Sequence, residues 1–363
     1  MLTLRINPVD FNTPWRWDFS GHAYLAGRSR ITPFQHPALE HHLHSSGQGA
    51  TTVVVRERRR VPRPARTAAD DAPVVAVTTG PGRTVTLTTG PVCTTPLYAT
   101  VGGAGDLYVS WDFTDTARQA PAARLHEVEL ARLLTLWLRY TPATLHAGVV
   151  RLTERATLTL DDGRLSIGLP GQADHYASRA LRPGADVVTA FEDLLAEAIT
   201  SRVYDPALSV VEVSGGVDSA QVALSLADLH PGQVTAAAVM LGGRVGEQQV
   251  MRRHMLVDGR FACDATVTAI EPLAPGGLRA TGAAVSPYED AYTEATTTML
   301  HAATGGRPAR CGPASEVTSS SRSLPANAQG RRSVMTGRLL HGCPSGSWMR
   351  WRGPMTTCLQ PAW

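Results

Sequence analysis

Lysine is absent from all 363 residues, so the 34 basic side chains are arginines. No mechanism for this chain can therefore use a lysine ammonium or a Schiff base. With so much alanine, glycine and proline alongside, the missing lysine reads as a genome-wide bias in composition. Cysteine is scarce: Cys93, Cys263, Cys311, Cys343 and Cys358 are odd in number, far apart, and form no C-x-x-C pair. That spacing gives no zinc or redox motif and suits reduced thiols in a cytoplasmic chain. Charge of one sign is also lacking. The 34 basic residues face 31 acidic ones, for a net +3, which argues against a nucleic-acid partner held by charge. The start shows no charged head followed by an apolar run, and no stretch approaches the ~18 apolar residues of a membrane helix, so neither secretion nor membrane insertion is expected.

What is present is a hydrophobic content of 43%, ample for a core, on a length that suggests two domains. Residues 1 to about 72 read as irregular, with HPALEHHLH and the arginine run from Arg56 to Arg66 as surface loops. From 73 to about 183 the pattern is strand-like: VVAVTT, RTVTLTT, PLYATV, DLYVSW, VVRL and ATLTLDDGRLSI. The last is a hairpin, because Asp162-Gly163 suits a tight turn at positive φ. Among these strands LHEVELARLLTLWLRY predicts a helix with Val128, Leu133, Leu134, Leu136 and Trp137 on its apolar face.

A different texture starts near Asp186. DVVTAFEDLLAEAITSRV repeats Val187, Phe191, Leu194, Leu195, Ala198 and Ile199 at helical spacing. LSVVEV, a glycine turn, SAQVALSLADLH and VTAAAVML then follow as strand, helix and strand, a parallel βαβ unit. GEQQVMRRHML predicts a helix, ACDATVTAI a third strand and EDAYTEATTTMLHAA another helix. From Thr304 to Trp363 the texture changes again. This segment holds eight arginines and one acidic residue, Glu316, and sustains neither helical nor strand period, as expected of an aberrant or disordered tail.

At the first βα turn stands Val213-Ser214-Gly215-Gly216-Val217-Asp218-Ser219. Two glycines let the backbone approach an anion closely, the serines add hydroxyls, and the next amides open a helix whose N-terminus favours negative charge. Pyrophosphate suits such a loop, and Asp218 suits the magnesium ion that would bridge its oxygens. The ordinary reading of such a stretch is a glycine turn capped by Ser or Asp. A valine-rich strand before it and an apolar-periodic helix after it favour the nucleotide reading. The pattern is neither GxxxxGKS nor GxGxxG. Strand ends in open α/β sheets face the ligand, which makes Met240 and Leu241 candidates for an adenine pocket.

SGGVDS in this setting resembles the PP-loop of the ATP pyrophosphatases, which cleave ATP between its α and β phosphates. FEDLLAEAITSRV before it and PYEDAYTEATTTMLHAA after it resemble the synthetase domain of the asparagine synthetase family. TTPLYATVGGAGDLYVSWD and TLHAGVVRLTERATLTLDDGR resemble later strands of that family's glutaminase-like domain. The resemblance covers roughly residues 73 to 303. It implies an α/β chain: an Ntn-type αββα glutaminase-like domain over 1–183, an incomplete Rossmann-like PP-loop domain over 184–303, and a tail over 304–363.

The resemblance also implies ATP and Mg2+ as cofactors and a carboxylate-bearing substrate activated as an acyl adenylate for attack by an amine. Ser214, Gly215, Gly216, Val217, Asp218 and Ser219 would hold the pyrophosphate, and Asp218 the magnesium. Departures from the family pattern narrow the expected activity. Residue 2 is Leu2 where glutamine-hydrolysing members expose a cysteine once Met1 is removed, and Thr95 stands where members commonly carry arginine. The family's GDGGDE-like second acidic segment is missing after Ala303, as in a truncated or frame-shifted product, and poor solubility is expected. The expected reaction is macrolactam closure in a ribosomal precursor peptide, as in the lasso-peptide cyclases. The alternatives are asparagine synthesis and an inactive fragment or peptide-binding accessory.

Other clusters carry less. His36, His41, His42 and His44 read as a solvated loop more readily than as metal ligands. Glu289 and Asp290 begin a helix, where acids favour the dipole, and Glu247 does the same.

Overall fold

The computed structural model describes residues 2–46, 49–60, 74–80, 84–91, 96–121, 124–135, 141–169, 182–258, 261–269, 292–304 and 333–334. Its fold is mixed α/β, with several antiparallel strands and few helices in the first half and a parallel sheet in the second.

The first half stacks two antiparallel sheets. One contains β1 (Leu2–Ile6), β2 (Arg16–Asp18), β3 (Ala23–Ala26), β4 (Ser29–Pro33), β9 (Leu97–Val101), β10 (Leu107–Ser110) and β11 (Val150–Leu152), in the order β11-β9-β10-β1-β4-β3-β2. The other contains β5 (Leu39–Ser45), β6 (Thr51–Glu57), β7 (Val75–Thr79), β8 (Val85–Thr89), β12 (Thr157–Asp161) and β13 (Arg164–Gly168), in the order β13-β12-β8-β7-β6-β5. Their shared core takes the inward member of each alternating pair, among them Leu2 and Leu4, Val75 and Val77, Val85 and Leu87, and Leu158 and Leu160. The β12–β13 turn is as expected, with Asp162 at φ 45° and Gly163 at φ 75°.

Helix α1 (Phe113–Ala117) covers the outer side of β9, where the Phe113 ring meets Tyr98 edge-on at 5.4 Å. That is why β9 is buried on both faces.

Two expectations for this half are corrected. The first 60 residues are not irregular, because six strands lie there. HPALEHHLH is not a loop. It supplies β5, which pairs with β6 from Leu39↔Glu57 to Ser45↔Thr51. β5 is an edge strand whose His42 and His44 are exposed, while His41 takes an inward position between Leu39 and Leu43 and bonds Tyr24, so the sequence displays no apolar alternation there. The helix predicted over 125–140 is present as α2 (Glu127–Leu134), but no residue of it is buried and Leu134 is 74% exposed. Helical period marks an apolar face without supplying anything for it to pack on. Leu136 and Trp137 lie outside the described residues.

The second half is built from α3 (Val187–Thr200), β14 (Ser209–Glu212), α4 (Val217–Leu229), β15 (Thr235–Leu241), α5 (Val245–Asp258), β16 (Cys263–Ala269) and α6 (Thr293–Ala303). β14 pairs parallel with β15, and β15 with β16 from Thr235↔Cys263 to Leu241↔Ala269. α3, α4 and α5 pack on the face bearing Val211, Val213 and Ala236, and α6 packs on the face bearing Val210, Ala237 and Val239. Asp186 caps α3 by accepting the Thr189 N–H at 3.0 Å. Of α3's predicted apolar face only Leu195 and Ile199 are buried. In the tail, Ser333–Val334 forms β17, parallel to β14, where no strand was expected. A two-residue strand is too short to display a period. Glu289, Asp290 and Thr95 lie outside the described residues, as do all the cysteines but Cys263, an exposed free thiol.

The halves meet through the arginine run, which the sequence places in a surface loop. Arg59 bridges antiparallel to Arg202, and the Arg60 N–H donates to the Ser201 carbonyl at 3.0 Å. The Arg60 guanidinium lies over the Tyr204 ring at 5.0 Å and donates to the Tyr204 carbonyl at 2.5 Å. Glu57 accepts from Arg202 at 2.8 Å. Arg63 and Arg66 lie outside the described residues.

Candidate functional site

The loop from Ser214 to Gly216 leaves the carboxyl end of β14 and enters α4. Gly216 is the N-cap residue, and no side chain caps the helix. The first bond within the helix runs from the Ala220 N–H to the Gly216 carbonyl at 3.1 Å. The N–H groups of Val217, Asp218 and Ser219 thus precede the ladder and carry the positive end of the helix dipole. The ordinary reading of the motif, a turn with a capping Ser or Asp, is not what the geometry shows. Gly216, Val217 and Asp218 are exposed at this end.

Gly215 sits at φ 91°, a left-handed conformation that disfavours any side chain. A Cβ there would lie 3.4 Å from the Gln248 carbonyl oxygen and 3.7 Å from Arg252 Cγ, so α5 forms a floor directly under the loop. The hydroxyls of Ser214 and Ser219 are 2.9 Å apart, and Ser219 Oγ also receives the Ser214 N–H at 3.3 Å and donates to the Gly216 carbonyl at 3.1 Å. All six predicted loop residues are brought together around one helix start.

The two adenine-pocket candidates separate. Met240 is buried at 1% exposure, while Leu241 is half-buried at the strand's end. Gly242 and Gly243 follow it at the same edge as the loop, with Gly243 at φ 80°. Glu247 lies in the first turn of α5 and pairs with Arg244 at 3.0 Å. The histidines stand far from this site in sequence and in sheet. His41 bonds the Tyr24 hydroxyl at 2.8 Å, and no group of three or more His, Cys, Asp or Glu able to hold a metal occurs among the described residues.

Two residues that the motif does not reveal complete the site. Gln248 accepts the Leu241 N–H at 2.7 Å through Oε1 and donates through Nε2 to the Ser214 carbonyl at 3.3 Å, tying the ends of β14 and β15. Arg252 is fully buried, donates from Nε to the Val213 carbonyl at 2.6 Å, and forms a two-pronged pair with Asp264 at 3.1 and 2.5 Å. The available signal was their spacing of four in GEQQVMRR, which puts both on one face of the helix.

No protein-family model matches the chain, and no curated protein matches it in sequence.

The residues present suit a magnesium pyrophosphate group. The helix start is open, the exposed Gly216 leaves the backbone bare with only Ser214 Oγ near its missing Cβ, and Asp218 is an exposed carboxylate in the first turn. Magnesium commonly takes one or two carboxylates and completes its octahedron with phosphate oxygens and water, so a single Asp218 is a sufficient protein ligand.

At the other end of α4, burial first and the Arg60 cation second hold the His230 imidazole below its ordinary range, and His230 Nε2 lies 2.8 Å from the Tyr204 hydroxyl. Burial also raises the Tyr204 phenol. One helix thus connects the loop to the joint between the halves.

Proposed function

We propose that the chain is an ATP-dependent amide-forming ligase related to the asparagine synthetase family, with a glutaminase-like sandwich that hydrolyses no glutamine and a PP-loop domain that activates a carboxylate. The observation that carries this reading is the uncapped start of α4 behind the SGGVDS loop. A substrate carboxylate attacks the α-phosphorus of ATP, the bond to the β-phosphate oxygen breaks, and pyrophosphate leaves. An amine then displaces AMP from the acyl adenylate and forms the amide.

Ser214, Gly215, Gly216, Val217 and Ser219 receive the departing pyrophosphate through N–H and hydroxyl donors, where charge develops in the transition state. Asp218 would hold a magnesium ion, which when bound would supply charge neutralisation on the phosphate oxygens. The preferred substrate is a peptide whose carboxylate and amine close a macrolactam in the cytoplasm; asparagine synthesis with free ammonia is the alternative. Neither reading calls for a nucleic-acid or membrane partner.

The test is ATP–pyrophosphate exchange. Asp218→Ala is expected to lower exchange by at least about 100-fold, as removal of a group that stabilises transition-state charge does. Exchange unchanged in Asp218→Ala would remove that residue from the reaction. Absence of both exchange and AMP release with every carboxylate offered to the unaltered chain would favour the inactive-accessory reading, which the missing GDGGDE-like segment supports.

A further inference from the structure

We infer that Gln248 is a positioning residue for the anion loop, with Arg252 as its companion, and that the two act by fixing the direction of the loop's peptide groups. The inference rests on the pyrophosphate reading of the same loop. In a trans peptide the C=O and the following N–H point in opposite directions. Gln248 Nε2 holds the Ser214 carbonyl towards α5, so the Gly215 N–H on that peptide points away from α5. Arg252 Nε holds the Val213 carbonyl in the same way, and the Ser214 N–H, on the far side of its peptide, meets Ser219 Oγ. Two consecutive carbonyls are thereby withdrawn from the neighbourhood of an anion that they would repel; the Ser214 N–H is taken up within the loop by Ser219 Oγ, and the Gly215 N–H is arranged before any ligand arrives.

The Gln248 amide can do this in one orientation only. Its oxygen faces a donor, the Leu241 N–H, and its nitrogen faces an acceptor, the Ser214 carbonyl. A glutamate of the same shape would keep the first bond and set a carboxylate oxygen against the Ser214 carbonyl. Arg252 is pinned by Asp264 and is buried, so its geometry cannot adapt if the loop turns over.

The experiment measures binding of inorganic pyrophosphate, and separately of ATP, each with magnesium, to the full chain and to Gln248→Glu and Gln248→Ala. Calorimetry gives the affinity, and hydrogen exchange gives protection along β14 and α4. Both variants are expected to bind about tenfold more weakly, the worth of roughly one well-placed hydrogen bond, with protection of β14 and α4 unchanged. Binding equal to that of the unaltered chain would overturn the positioning role and leave the pyrophosphate reading standing. Weaker binding with protection lost throughout β14 and α4 would overturn it too, in favour of a merely structural role. If the unaltered chain binds neither pyrophosphate nor ATP, both readings fall together.

Discussion

Strands β7 and β8 alternate a buried residue with a half-buried one along their whole length, whereas β15 buries six residues in succession before Leu241. The first pattern belongs to a sheet with one face on the core, and the second to a parallel strand covered by helices on both sides. The difference extends to the polar groups. Within the sandwich the facing sheets meet through a continuous apolar core, joined among the described residues by the neutral hydrogen bonds of Tyr24 with His41 and of Trp15 to Thr79. In the parallel half a fully buried guanidinium spans from the Val213 carbonyl to Asp264, under the loop proposed to bind pyrophosphate. Where a backbone must be held in one orientation, directional bonds do what packing cannot, at the risk of an unpaired charge if one partner is lost.

The largest expected effect tests that risk. Asp264→Ala leaves the fully buried Arg252 guanidinium without its ion partner and should cost about 3–5 kcal/mol in urea unfolding of the parallel half. A loss below about 1 kcal/mol, the value of an ordinary surface pair, would remove the contrast between the halves. In the sandwich the equivalent damage is a cavity. Leu158→Ala, at a fully buried site, should cost about 3 kcal/mol and leave pyrophosphate affinity as it was. A change in affinity would show that the halves are coupled more tightly than the Arg60 joint implies.

Acid should act on both halves in one direction. Burial holds His36, His41 and His230 below the ordinary imidazole range, with His42 adding to the effect on His41 and Arg60 to that on His230. The unfolded chain therefore takes up protons first. Stability is full above about pH 6.5 and falls as the pH drops from there through the lower folded values, which thermal melts at stepped pH would follow. Stability that rises on acidification over that window would contradict the burial of these rings. The smallest effect is local: Gly163→Ala, at φ 75°, should cost about 1 kcal/mol and raise hydrogen exchange only in the β12–β13 hairpin.

Much of this was legible in advance because it is local. The hairpin follows from Asp162-Gly163, the order of β14, α4 and β15 from their apolar runs, and the turn from Ser214 to Ser219 from its paired glycines between a strand and a helix. What escaped was short or depended on distant chain. β2 has three residues and β17 two, too few for a period. β5 is strand because β6 lies beside it, since its own histidines and glutamate argue for nothing regular. Gln248 and Arg252 were visible as helix residues, yet their role depends on strand ends 34 and 39 positions earlier in the chain.

The sequence by itself determined the chemistry available to this protein. It has no lysine, few cysteines, and one glycine-serine loop with a carboxylate between a strand and a helix. Side-chain identity and spacing of a few residues suffice for that. The tertiary structure alone decided that α4 begins without a side-chain cap, that α5 lies under the loop and binds its carbonyls, and that the arginine run joins the two halves. Each of these arises from contacts between segments far apart in the chain, whose pairing depends on the packing of whole sheets and helices and leaves no local period to read.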